Sequence, residues 1–149
     1  LGERTGNAAL EELVLCLNIL MGQDTPYRMD RLLPLCNLVE KLSGVQCAPN
    51  KPFVGVRNYM RESGIGVDLV MKEPLAMFAT APRYFGRSAS VGLGKKSGKA
   101  SITYYLEQMG LTATDEQVAA ILARVKDKGI EKKGLLTMQE FEDILHQVL

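Results

Sequence analysis

The stretch Thr114-Asp115-Glu116-Gln117-Val118-Ala119-Ala120-Ile121-Leu122-Ala123-Arg124-Val125 decides the fold class. A threonine followed three residues later by glutamine is a capping box, in which each side chain bonds the other's backbone N–H at a helix start. Val118, Ile121, Leu122 and Val125 then fall on one helical face. Downstream, Thr137-Met138-Gln139-Glu140 is a second box, followed by Phe141, Ile144, Leu145 and Val148 at the same spacing. Upstream, Ile102, Tyr105, Leu106 and Met109 line a helix that Gly110 ends. Residues 97–149 therefore read as a small helical unit of three short helices with polar outer faces.

The beginning of the chain is also helical. Leu10, Leu13, Val14, Leu17, Leu20 and Met21 predict a helix over residues 8–21 that buries them, with Glu11 and Glu12 favoured in its first turn and Gly22 as its stop. A polar turn at residues 23–26 leads to a second helix with Leu32, Leu35, Cys36, Val39 and Leu42 inward, Pro34 near its first turn and Gly44 as its end. Pro49, Asn50, Pro52 and Gly55 mark a connector over residues 45–55. Residues 56–96 are weakly periodic, and short helices and loops are expected there. The division is thus 1–24, a loop and helix; 25–55, a helix and connector; 56–96, a first small subdomain; and 97–149, a helical second one. The fold class is mainly α.

The chain has 149 residues, 46% of them hydrophobic and 23% charged, which is a globular composition. A complete (β/α)₈ barrel needs about 250 residues and does not fit. A net charge of +1 gives no long-range field toward a nucleic acid or an anionic membrane, so neither is expected as a partner. The longest apolar stretch, Leu13 to Met21, is interrupted by Asn18 and falls far short of the ~20 residues a bilayer requires. Cys16, Cys36 and Cys47 have no metal-ligand spacing, which fits a reduced, cytoplasmic protein. The first residues, Leu1-Gly2-Glu3-Arg4, carry no initiator Met or signal core, as expected of a piece of something longer.

Two apparent motifs fail on chemistry. Gly92-Leu93-Gly94-Lys95-Lys96-Ser97-Gly98-Lys99 resembles a phosphate loop, but Leu93 and Ala100 stand where a glycine and a hydroxyl residue are required, and no apolar strand precedes it. Gly129 to Glu140 mimics the end of a calcium loop, but Lys133 would occupy a ligand position and cannot coordinate a cation. His146, the only histidine, is expected on the surface of the last helix, and Tyr104 and Tyr105 are expected to be split between surface and core. On physics alone, Asn7 is an N-cap, Gly6 a permissive backbone position, and Glu3 with Arg4 a surface ion pair.

A resemblance adds to this. Gly2-Glu3-Arg4-Thr5-Gly6-Asn7-Ala8 is similar to the end of the eighth strand in the metal-dependent Claisen-condensing barrel family, the DRE-TIM metallolyases. These include 2-isopropylmalate, homocitrate and citramalate synthases and 3-hydroxy-3-methylglutaryl-CoA lyase. Pro49 to Gly55 resembles that family's connector, Glu62-Ser63-Gly64-Ile65 its first subdomain, and Leu93 to Lys99 its second, all in the family's order. The subdomain motifs point to the synthases more than to the lyase.

The resemblance implies that the chain is the C-terminal part of an acyl-CoA:2-oxo acid condensing enzyme, with its barrel absent and no activity on its own. Asn7 would be a ligand of a divalent metal (Mg, Mn or Zn), which would polarise the 2-oxo acid carbonyl. Glu3 and Arg4 beside it, and Glu62 and Ser63 in the first subdomain, are the catalytic candidates. Arg83, Arg87, Lys95, Lys96 and Lys99 are the candidates for the phosphates of acetyl-CoA or another acyl-CoA. A homodimer, or association with a barrel-containing chain, is implied. Gly66, Met77 and Lys96 stand where the family pattern has His, Tyr and His. The alternatives are a lyase-like fragment and a non-catalytic helical module that docks through Leu13, Leu17 and Leu20.

Overall fold

The computed structural model describes residues Leu1–Leu149. Its elements in chain order are α1 (Leu10–Leu15), running into a π-helical turn Cys16–Leu20; a 3₁₀ turn Met29–Arg31; α2 (Leu32–Ser43); β1 (Met60–Arg61); α3 (Val67–Lys72); 3₁₀ turns Pro74–Ala76 and Pro82–Phe85; β2 (Ser90–Val91); α4 (Lys99–Gln108); α5 (Asp115–Lys132); and α6 (Met138–Leu145). The mainly α class is observed, and two two-residue strands are all the β structure present, so no barrel lies within the chain. No helix is long and apolar enough to cross a membrane.

The elements gather into two compact units that interleave along the chain. One comprises Leu1–Tyr59 with Phe78–Ser88, the other Met60–Met77 with Ala89–Leu149.

The second unit follows its sequence closely. Thr114 Oγ1 accepts from Gln117 N while Thr114 N donates to the Gln117 side chain, and Thr137 with Glu140 repeats the exchange, so both capping boxes form. α4, α5 and α6 enclose a core of Ile102, Leu106, Val118, Ile121, Val125, Phe141, Ile144 and Leu145, with Tyr105, Met109, Leu122 and Val148 packed on it. His146 is exposed, as expected. Tyr105 packs against the core and donates to the Val91 carbonyl, while Tyr104 is half-buried and meets it edge to face. A parallel pairing of Met60 with Ser90 and Arg61 with Val91 anchors the chain entering α3 beside the chain entering α4.

The calcium-loop lookalike is dismantled by this arrangement. Gly129 to Lys132 are still helical, and Glu140 accepts from Thr137 N and from Lys132 Nζ at 2.7 Å. The Lys132 contact first, and the Thr137 amide second, pull the Glu140 carboxyl down to about 2 from an ordinary 4.5. A folded-state value below the unfolded one means that this group stabilises the fold fully above about pH 4.5, and that its contribution disappears as pH falls toward 2. In an acid titration of helical ellipticity, Glu140→Gln is therefore expected to lower stability at neutral pH and to flatten the loss between pH 4.5 and 2. A profile parallel to the parent's would show that other carboxylates govern the acid limb.

The first unit departs from its sequence reading. α1 begins at Leu10, not residue 8, and its N-cap is Ala9, with no side-chain cap, so Asn7 is not the cap. Of the expected inward stripe only Val14 is fully buried, joined by Leu15 and Glu11, while Leu13 is 49% and Leu20 73% exposed. In α2 only Leu32 is fully buried, and Leu35, Val39 and Leu42 are exposed, although Gly44 ends the helix in the left-handed conformation as expected. The reason is geometric. The core of this unit is an aromatic cluster of Tyr59, Phe85, Phe53 and Phe78, which receives only Val14, Leu15, Leu32 and Met29 from the helical segments. Other apolar residues of these helices, Leu13, Leu20 and Leu42 among them, stay exposed.

Arg87 holds that aromatic cluster in place. Its guanidinium donates to the carbonyls of Phe53, Gly55 and Val56 at 2.8–3.0 Å and lies 5.0 Å from the centre of the Tyr59 ring. Lysine keeps the charge but not the planar fork. Arg87→Lys is expected to lower the stability of this unit by about 2 kcal/mol, since hydrogen bonds from a charged donor are each worth ~1.5–3 kcal/mol. A change under ~0.5 kcal/mol in chemical unfolding would make the clamp incidental.

Candidate functional site

The N-terminal motif is a tight loop. Asn7 N donates to the Leu1 carbonyl at 2.9 Å and Gly6 N to the Glu3 carbonyl at 3.0 Å. Gly2 and Gly6 adopt positive φ, and so does Arg4 at 53°. A Cβ on Gly2 would lie 2.7 Å from the Asn7 side-chain carbon, so glycine is what lets the Asn7 amide fold back over the loop. Glu3, Arg4 and Asn7 are all exposed, and Glu3 and Arg4 form no ion pair.

Asn7 lies on the wall of a cavity of about 450 Å³ within the first unit, shared with α1, α2 and residues 45–51. Its most unusual wall group is Glu11, a carboxylate that is 5% exposed. Lys51 Nζ approaches Glu11 Oε1 at 2.8 Å and Glu12 Oε1 at 3.2 Å. The Glu11 contact lies outside hydrogen-bonding angles and is an ion pair only. Glu11 first, then Glu12, raises the Lys51 ammonium above its usual range against the opposing effect of burial. Cys36 and Cys47 line the same cavity as free thiols, and burial pushes both upward, away from thiolate chemistry. The Glu11–Lys51 pair went unnoticed in the sequence because its partners are 40 residues apart and each has an ordinary local reading.

In the second unit the structure brings together two motifs thirty residues apart. Glu62 Oε1 accepts from Lys96 N at 3.0 Å, and Gly64 N donates to the Lys96 carbonyl at 3.4 Å. Gly64 and Gly98 touch backbone to backbone: a Cβ on Gly64 would stand 2.4 Å from Gly98 Cα. Gly94 is pressed against the Glu62 carboxylate and Leu135, and Gly129 of α5 against Gly94 and Lys95 N. The glycines of this loop serve close packing. Its amides are internally engaged: Gly94 N with Ser97 Oγ, Ser97 N with the Gly94 carbonyl, Gly98 N with Ser101 Oγ and Lys96 N with Glu62. This is the physical reason why the loop is no phosphate cradle. Ser63 is half-buried beside this junction, and Arg61 donates to the Ile65 carbonyl. Gly66, in the left-handed conformation, faces the Met77 side chain.

The remaining cationic candidates are spread out. Lys95 and Lys96 are exposed, and Lys99 lies 3.7 Å from Asp115. Arg83 is exposed and lies over the Tyr84 ring, and Arg87 is committed to the backbone carbonyls described above.

No group of three or more His, Cys, Asp or Glu side chains in the chain could hold a metal ion. Asn7 offers one neutral oxygen donor, so the residues of this chain do not by themselves fit a divalent cation.

The ordered glycine and acidic motifs of the second unit fall inside a region, residues 53–133, that matches the family described as homocitrate synthase post-HMGL domain-like. The chain belongs to this family. As a post-HMGL domain-like chain it is 38% identical over its full length to a homocitrate synthase of Methanocaldococcus jannaschii, covering 36% of that protein. It is 39% identical over 87% of its length to an (R)-citramalate synthase of the same organism, covering 26% of it. A homocitrate synthase of Methanopyrus kandleri is 35% identical over the full chain, which covers 37% of it. The chain thus spans about a third of the length of these relatives.

Proposed function

We propose that this post-HMGL domain-like chain is the C-terminal part of an acyl-CoA:2-oxo acid condensing enzyme, an acyltransferase of the citramalate and homocitrate synthase type. What supports this reading is the family match over residues 53–133, together with relatives bearing those two names that align over nearly all of the chain. In this reading the four sequence divisions, 1–24, 25–55, 56–96 and 97–149, are successive parts of the region that follows a barrel. Asn7 would be one donor to a divalent cation whose other ligands come from polypeptide outside this chain, with Glu3 and Arg4 beside it. Glu62 and Ser63 would serve the reaction by shaping the subdomain loop, and the exposed cations Arg83, Lys95, Lys96 and Lys99 would face the phosphates of the acyl-CoA. The protein would work in the cytoplasm, as a homodimer or together with a barrel-containing chain.

The test is an assay for free coenzyme A released from acetyl-CoA with a panel of 2-oxo acids and Mg²⁺, Mn²⁺ or Zn²⁺. The 149-residue chain is expected to give no turnover, and a longer polypeptide containing it with a barrel is expected to turn over. Activity of the chain alone would overturn its role as a part, and an inactive longer polypeptide would overturn the condensing reading. Adding 3-hydroxy-3-methylglutaryl-CoA as substrate separates a lyase from a synthase.

One observation favours a second reading beside it, a helical docking module. Leu13 and Leu20, on α1 and its π-helical extension, are exposed, and exposed apolar surface on a helix can serve as an interaction face. A stable, compact monomer in sedimentation would count against docking through that face.

A further inference from the structure

The cavity of the first unit carries more negative charge than the chain answers. Glu11 sits on its wall in the first turn of α1 and is 5% exposed. One of its carboxylate oxygens, Oε1, is buried and accepts no hydrogen bond. The cation beside it is Lys51, whose Nζ donates to Glu12 Oε1 at 3.2 Å while only pairing in charge with Glu11 Oε1 at 2.8 Å. One ammonium is thus shared between two carboxylates. A third carboxylate, Glu40 near the end of α2, lines the same cavity, and no lysine, arginine or histidine nitrogen lies within 4.0 Å of it. A buried charged acceptor left without a donor costs more than an ordinary hydrogen bond gains.

The two thiols on the wall sense this field. Burial first, and Glu11 next, raise Cys36 against the opposing effect of Lys51. Burial also raises Cys47, where Glu40 and Glu11 add to it against Lys51. Both thiols therefore stay neutral at pH 7 and leave the carboxylates as the anions of the wall. Leu32, Leu35, Val39 and Val45 supply apolar surface beside them. A volume of about 450 Å³ falls in the range of small-molecule sites, which pair apolar walls with a few polar anchors.

We propose that this cavity binds a primary alkylammonium group, whose N–H donors meet Glu11 and whose hydrocarbon body lies along Leu35, Val39 and Val45. Lys51 then turns wholly to Glu12, which it already engages, and the ligand nitrogen takes the place 2.8 Å from Glu11 Oε1 that Lys51 Nζ gives up. A hard divalent cation is disfavoured, because it needs several oxygen ligands and no group of three His, Cys, Asp or Glu side chains converges here. Anionic ligands are disfavoured by the same carboxylates, so the inference goes beyond the condensing-enzyme reading and does not depend on it. The ammonium can come from a free aliphatic amine or from a lysine side chain of another polypeptide.

The test is an NMR titration of the ¹⁵N-labelled 149-residue chain at pH 7 and constant ionic strength. The ligands are n-pentylammonium, pentanoate, which has a similar body and the opposite charge, and Nα-acetyl-lysine methylamide. Saturable shifts are expected at the amides of Glu11, Cys36, Glu40 and Lys51 with pentylammonium and none with pentanoate. Glu11→Gln keeps the shape but not the charge, and is expected to bind at least about tenfold more weakly. Should that variant not fold, Glu40→Gln, at a half-buried position, reads the same cavity and is expected to lose about threefold. Lys51→Met vacates the nitrogen position, so pentylammonium is expected to raise its unfolding midpoint more than the parent's. Binding of the lysine derivative as tightly as pentylammonium would identify a polypeptide side chain as the source, and much weaker binding a free amine. The proposal is overturned by absence of saturable shifts with pentylammonium, by tighter binding of pentanoate, or by parental affinity in a folded Glu11→Gln or, failing that, in Glu40→Gln.

Discussion

Truncating Phe141 to alanine is expected to destabilise the helical unit by about 3–5 kcal/mol, the usual cost of removing a buried aromatic ring. Phe141 has no exposed surface, its ring centre lies 5.6 Å from that of Tyr105, and it belongs to the cluster with Ile102, Leu106, Ile121 and Val125. It comes from the first turns of α6, an eight-residue helix held by its capping box and by Phe141, Ile144 and Leu145 in the core. Collapse around the cavity would require α4 and α5 to shift together, and both are fixed by the glycine contacts beneath them. Small domains are stable by only ~5–15 kcal/mol, so the loss should appear as a large drop in the urea midpoint. Phe141→Leu, which refills most of the volume, should recover more than half of it. A Phe141→Ala cost below ~1.5 kcal/mol would mean that α6 does not close this core.

Gly64→Ala is expected to cost about 3 kcal/mol, at the upper end for forcing atoms into a packed interior. The added methyl would stand 2.4 Å from Gly98 Cα and 2.6 Å from Gly98 N. Both are backbone atoms, so no side-chain rotation relieves the clash. Separating the two segments there also loosens the bond from Gly64 N to the Lys96 carbonyl and the Glu62 contact with Lys96 N. Two readouts check this: the unfolding midpoint, and hydrogen exchange at the Lys96 amide, which should lose protection. Gly110→Ala is the control. Gly110 has φ +67° with nothing within 4 Å of an added Cβ, so its cost should be only the ~1–2 kcal/mol of left-handed strain. Equal costs at the two positions would show that the Gly64–Gly98 approach carries no particular weight.

The first of these predictions concerns the part of the fold that could be read in advance. The helices of residues 99–145 were legible because their signals are local: two capping boxes, Gly110 as a stop, and apolar residues spaced so that a single layer of neighbours buries them. α1 and α2 show equally clear apolar periodicity, yet the stripe expected to be buried is largely exposed. Periodicity identifies which residues can be buried together, not whether a partner surface lies beside them, and here the aromatic cluster takes only one edge of each helix.

The candidate site divides in the same way. Its motifs were visible as residue patterns, but their physical roles were not. Glu62 and the glycines of residues 92–98 look like chemistry when read along the chain, and in space they are a junction in which a carboxylate holds a loop amide and glycines admit close backbone contact. Arg87 looks like an anion contact and is bonded to three carbonyls.

By itself, then, the sequence determined the mainly α class, the ends of its capped helices and, through ordered motifs, membership in the post-HMGL domain-like family, because capping, helical spacing and motif order are properties of neighbours along the chain. Only the tertiary structure decided that the chain interleaves two units, that Glu11 is buried against Lys51, and that two glycine motifs lock together. Each of these depends on the approach of residues tens of positions apart, where distance and desolvation act on a side chain and local pattern does not.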